Sequence, residues 1–141
     1  MANNIASEVI MSARTFDPVD LEERAFKASL TVDVAAQTQS LLDWVGARVT
    51  AAAVGLADAR PLYRWRDGSH PKEHLAGDRL RVLYRIGYEI HEAYGPRVLA
   101  AFLRSSNPQL ADRAPLIVLA DSDPAEVEGE LLAATRAFLE G

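Results

Sequence analysis

Apolar residues along the chain recur at three- and four-residue steps, and no convincing run alternates β-branched with polar residues, so the pattern predicts helices and no sheet. Asp17 before Pro18 supplies an N-cap and a first-turn proline, with Asp20, Glu22 and Glu23 near the positive end; a first helix to about Ser29 is expected. Residues 1–16 lack a clear pattern, and Asn3, Asn4, Ser7 and Ser12 disfavour a helix, so a flexible N-terminal arm is expected there. A second helix from about Asp33 to Trp44 has Val34, Leu41, Leu42 and Val45 on its apolar side and stops at Gly46. A third, from about Arg48 to Val54, carries Ala51, Ala52 and Ala53, small enough for another helix to approach closely. Gly55 ends it in a position suited to left-handed backbone, Asp58 can cap the next helix, and Pro61 to Arg66 form that short helix before Gly68 and Pro71 close the unit.

The longest helix is expected from about Leu75 to Gly95, roughly 30 Å of rise, with Leu80, Leu83, Tyr84, Ile90 and Tyr94 along one stripe. Gly87 in its middle costs about 1 kcal/mol relative to alanine. That points to something packed closely against it, either the core or a second copy of the chain. A helix from about Arg97 to Leu103 comes next, then the turn-rich Ser105-Ser106-Asn107-Pro108, then a brief apolar helix from Pro115 to Leu119. Asp123 caps the last helix, Pro124 takes its first position and Glu126 falls where a capping-box acid belongs.

At 141 residues the chain has room for one compact domain or two very small ones, and its 49% hydrophobic and 25% charged residues exclude wholesale disorder. With no cysteine, disulfides, thiolate nucleophiles, zinc ribbons and iron–sulfur clusters are out, and a reducing cytoplasm suits the chain. No apolar stretch approaches the ~20 residues of a membrane span, and no basic flank with an apolar run opens the sequence, so a soluble, cytoplasmic protein is expected.

Charge is unevenly spread. Residues 1–46 carry 3 basic and 7 acidic side chains, residues 47–85 carry 8 and 4, and residues 86–141 carry 4 and 9. A basic middle between acidic flanks suits local phosphate contact, and a salt-bridged helix pair would give the same imbalance.

Candidate catalytic chemistry is thin. His70 and His74 are four apart near Glu73, but Gly68 and Pro71 place them in a loop, and no converging ligands complete a metal site. His91 reads as an exposed helical histidine. Asp121, Asp123, Glu126, Glu128 and Glu130 lack the glycine and ligand alternation of a calcium loop. No phosphate-binding glycine loop, nucleophile triad or committed carboxylate pair is present, so no enzyme activity, metal or cofactor is expected. The unit from 48 to 66 is more informative: a small-residue helix, a turn at Gly55 and a second short helix match the helix-turn-helix plan. Ala51 would let the helices touch, Leu62 or Trp65 would anchor the second, and Arg48, Arg60, Tyr63, Arg64 and Arg66 would face DNA. A structural corner with solvated arginines is the alternative.

From this unit onward, over roughly residues 35–141, the chain resembles the Xre/MbcA/ParS family of antitoxins. The resemblance rests on Leu62-Tyr63-Arg64-Trp65-Arg66-Asp67-Gly68, then Pro71, and on Asp78-Arg79-Leu80-Arg81-Val82-Leu83-Tyr84 opening the long helix. More specific are Val98-Leu99-Ala100-Ala101-Phe102-Leu103, Asn107-Pro108-Gln109-Leu110 and Arg113-Ala114-Pro115-Leu116. Asn107 before Pro108 stops a helix, and Arg113 can bond freed carbonyls or a partner carboxylate.

The resemblance implies an all-α antitoxin without enzyme activity. Residues 17–74 would form a helical region containing a degenerate helix-turn-helix, and residues 75–141 a toxin-binding domain. The partner would be a RES-domain toxin that degrades NAD, with operator DNA contacted during autorepression, and the chain would pair as a homodimer within the toxin complex. Arg113, Arg136, Phe138, Leu139, Glu140 and Gly141 would contact the toxin near its active-site entrance. A stand-alone DNA-binding regulator is the alternative function. Two departures from the pattern stand out: the spacing from Gly55 to Trp65 is one residue longer than usual, with Pro61 where the recognition helix begins, and Ala111-Asp112 lacks a glycine.

Overall fold

The computed structural model describes residues 16–141, so the expected arm lies outside the described residues except for Phe16. Among the described residues there are seven α-helices, one 3-10 turn and no strand. The helices are α1 (Pro18–Thr31), α2 (Val34–Val54), α3 (Arg60–Arg66), α4 (His74–Tyr94), α5 (Pro96–Arg104), α6 (Pro115–Asp121) and α7 (Pro124–Glu140), with the 3-10 turn at Pro108–Leu110.

Local signals set most of these boundaries. Asp17, Asp33 and Asp123 each accept a backbone N–H of the first helical turn, from Val19, Ala36 and Ala125. Helix α2 is broken at Gly46, which has φ 85° and ψ 168°, so the chain turns there between the two helices expected from the sequence. At the end of α2, Gly55 is left-handed (φ 82°, ψ 28°). The N–H of Leu56 reaches back to the Ala51 carbonyl at 2.9 Å, closing a glycine C-cap.

α4 is the central helix and packs against α1, α2, α5 and α7. One cluster of buried residues runs through the molecule, from Leu21 of α1 and Leu41 of α2 through Leu83 and Ile90 of α4 to Leu131 and Leu139 of α7. The regions before and after residue 75 therefore share a core. Gly87 faces that core: a Cβ there would stand 3.5 Å from Leu41, Leu99 and Trp44, which gives the close packing expected of it.

Two expectations about α4 need correction. Tyr94, assigned to the apolar stripe, is 39% exposed, with its ring edge-on to Phe16 and Phe138. His91 is not a solvated histidine, because its ring stacks on Trp44 at 4.4 Å and its Nδ1 is buried without a hydrogen-bond partner among the described residues.

No helix among the described residues is long and apolar enough to cross a membrane.

Candidate functional site

Two exposed regions hold the residues that the sequence singled out. The first is the unit formed by the second half of α2, the turn at Gly55 and α3. Both expected anchors of α3 are buried, Leu62 completely and Trp65 nearly so, and Ala51 is buried on the facing helix. Arg48, Arg60, Tyr63 and Arg64 are exposed and Arg66 is half-buried.

The arginines are unevenly available. Arg60 is held by Asp58 through a 2.8 Å bond from its guanidinium, and Arg66 donates to Asp67 at 3.0 Å while lying 5.1 Å from the Tyr63 ring centre. The Arg60 side-chain and backbone N–H donors lower the Asp58 carboxyl to about 2, so this pair is ionised at any working pH. Arg48 and Arg64 make no ion pair among the described residues and carry the free positive charge of the unit.

The second region is an apolar groove of about 490 Å³ between α5, the Asn107-Pro108 turn and the end of α7. Its floor and walls include Val98, Ala101, Phe102, Pro108 and Phe138, and Arg97 stands at its rim. Phe138 is 38% exposed and packs on Phe102 at 4.9 Å between ring centres. Tyr94 meets the same ring edge-on at 5.9 Å, so the groove ends in a short aromatic row.

The Asn107-Pro108 wall is firmly built. Asn107 caps the 3-10 turn by accepting the Gln109 N–H at 2.9 Å, its own N–H donates to the Arg113 carbonyl, and its carbonyl accepts the Asp112 N–H. Buried Leu110 pins the turn to the core. Ala111 (φ 54°) and Asp112 (φ 63°) both take left-handed backbone, the conformation a glycine would have supplied without strain.

The expected toxin-contact residues are not all on this surface. Phe138 lines the groove, and Glu140 and Gly141 are exposed at the end of the same helix. Leu139 is fully buried and is a core residue, because successive positions of a helix point about 100° apart and its neighbour Phe138 takes the outward direction. Arg136 pairs with Glu140 at 2.8 Å and with Glu22 of α1 at 3.4 Å. Arg113 pairs with Asp121 at 3.0 Å, and it is not the residue that bonds freed helix carbonyls.

At the end of a different helix, α6, Arg79 bonds freed carbonyls, which the sequence did not reveal. Its guanidinium donates to the Leu119 carbonyl at 3.0 Å and the Ser122 carbonyl at 2.9 Å, satisfying the C-terminal end of α6. The same guanidinium lies against Gly55, where a Cβ would come within 3.1 Å of it. Arg79 thus ties the α2–α3 turn to the segment leading into α7.

Sequence reasoning also missed a polar cluster on the other side of α4. Arg81 and Arg85 both bond Glu128 of α7 at 3.0 Å. Burial works against the Glu128 charge, but the two arginines prevail and hold its carboxyl below the ordinary range. The i, i+4 spacing of Arg81 and Arg85 signals a shared helical face, but not the carboxylate that face meets.

His70 and His74 are exposed, and no group of metal-ligating side chains occurs among the described residues. No protein-family model, curated protein or solved structure matches the chain.

Proposed function

We propose that this chain is the antitoxin of a type II toxin–antitoxin pair. In this reading it is a cytoplasmic, non-enzymatic, dimeric protein that binds a RES-domain, NAD-degrading toxin and blocks its active site. The observation that carries the reading is the groove, where the Asn107-Pro108 element and the C-terminal Phe138, far apart in sequence, line one apolar surface. A partly exposed aromatic in an apolar concavity with an arginine at its rim is the chemistry of a protein-binding hot spot. The sequence resemblance to Xre/MbcA/ParS antitoxins supplies the identity of the partner.

Operator contact through Arg48 and Arg64, with Arg60 and Arg66 released from their acids, is the second part of the reading. It is supported by the exposed basic turn unit and by the weakness of solvent-exposed ion pairs. As a stand-alone regulator the protein would use this unit alone.

Co-expression with the product of the adjacent reading frame, purification through a tag on this chain, and measurement of cellular NAD test the proposal together. The expected result is stable co-purification, with NAD collapsing only when this chain is omitted. No co-purification and unchanged NAD would contradict it and leave DNA binding as the function to pursue.

A further inference from the structure

Glu89, in the second half of α4, is 1% exposed, and its Oε1 is buried without a hydrogen-bond partner among the described residues. A carboxylate removed from water in this way is costly unless a cation or donor compensates it. The charged groups acting on Glu89 come from three helices: Glu22 of α1, Arg136 of α7 and Arg85 of α4 itself. Both arginines already have carboxylate partners, although the Arg85 Nε is itself buried without a hydrogen-bond partner among the described residues. Arg85 bonds Glu128 at 3.0 Å, and Arg136 bridges Glu22 and Glu140. Glu22 adds a like charge, so an ionised Glu89 would be a further negative group in a junction whose two arginines are shared with Glu22, Glu128 and Glu140.

We propose that Glu89 is a proton-operated latch on α1: protonated, it lets α1 close over α4 and α7, and ionised, it drives α1 off and uncovers the apolar residues beneath. The proposal does not depend on the antitoxin reading.

Three features select α1 as the part that moves. It brings Glu22 to the junction and buries only Leu21, Ala25 and Ser29. It joins α2 through the extended residue Val32 (φ −79°, ψ 130°), a hinge held by the Gln37 amide, which donates to the Ser29 and Val32 carbonyls. The opposite wall is fixed more firmly, since α7 is pinned by the Glu128 double bridge and by buried Leu131, Ala134 and Leu139. The Arg85 guanidinium stacked 4.8 Å from the Phe26 ring centre is a contact that opening would break.

Burial, reinforced by Glu22 and only partly offset by Arg85 and Arg136, pushes the Glu89 carboxyl up to about 7. An acid whose folded pKa lies above its unfolded value stabilises the closed form most below that unfolded value, here 4.5. The contribution then falls as pH rises through about 7. The latch therefore loosens across neutrality, in the direction opposite to acid denaturation.

Amide hydrogen exchange of α1, corrected for the intrinsic pH dependence of exchange, tests this at about pH 6 and about pH 8.5. It is paired with a carbon-13 titration of the Glu89 carboxyl. Opening of residues 18–31 is expected to be about tenfold more frequent at the higher pH, while core amides of α4 stay protected. The Glu89→Gln variant, nearly isosteric and uncharged, is expected to lose that dependence. Equal α1 protection at both pH values, retention of the dependence in Glu89→Gln, loss of α1 and core protection together, or titration of Glu89 in the ordinary carboxylate range would each overturn the proposal. If Glu89→Gln does not fold, exchange and titration of the unmodified chain decide the matter.

Discussion

The turn unit from Arg48 to Arg66 and the groove beside Phe138 both face solvent, yet they treat their distinctive side chains in opposite ways. In the turn unit, charge comes with its own neutralisation: Asp58 holds Arg60 and Asp67 holds Arg66, leaving Arg48 and Arg64 without an ion pair among the described residues. In the groove, aromatic surface is left half-open, with Phe138 more than a third exposed over an apolar floor and the equally exposed Tyr94 edge-on to its ring. A segment's net charge therefore overstates what it offers a phosphate, whereas an aromatic row beside an apolar concavity keeps its contact area available. This asymmetry puts protein docking ahead of DNA contact in our reading.

The largest expected effect lies in the groove. Phe138→Glu is expected to weaken partner binding by about 30-fold or more, the penalty of losing a hot-spot aromatic. Helical content by circular dichroism should be retained because the ring is already partly exposed. The paired variant Arg48→Glu/Arg64→Glu should leave partner binding intact. If that pair released the partner and Phe138→Glu did not, the comparison would be inverted.

Arg79→Ala comes next, because Arg79 ties the turn unit to the end of α6. Losing its bonds to the Leu119 and Ser122 carbonyls should lower the unfolding free energy by about 2 kcal/mol in urea titration. Partner binding should be unchanged, since the groove takes no wall from α6.

A smaller gain is expected from Ala111→Gly. It relieves left-handed strain beside the groove wall and should raise stability by about 1 kcal/mol by the same titration. The smallest structural effect is expected from Asp58→Asn, which should leave the thermal midpoint unchanged because the carboxyl is exposed. The variant frees Arg60, so low-salt retention on the protein's own promoter DNA should increase if the turn unit meets phosphate.

The features legible in the sequence are those that local chemistry decides. Asp17-Pro18, Asp33 and Asp123-Pro124 fix helix starts, and Gly46 and Gly55 fix turns, because caps and positive φ values depend on a few neighbouring residues. Much of the groove could be anticipated too, since Asn107-Pro108 and Phe138 stand out in the sequence, though nothing local indicates that they share a surface. The side chains most consequential for electrostatics were not legible. Arg81 meets Glu128 from 47 residues away and Arg79 meets Ser122 from 43, and periodicity carries no information about such distant pairings. Glu89 has no special local signal in the sequence, and only the arrival of α1 and α7 makes it a buried acid that nearby arginines offset in part. The outward turn of Phe138 and the burial of Leu139 likewise depend on how α7 is rotated against α4, which one helix's pattern does not settle.

The central claim is tested most directly by following NAD consumption by the purified product of the adjacent reading frame while this chain is titrated in, in parallel with its Phe138→Glu variant. The account predicts that NAD loss falls to zero at a fixed ratio with the unmodified chain and continues with the variant. NAD loss that ignores the unmodified chain, or inhibition that Phe138→Glu leaves intact, would contradict it.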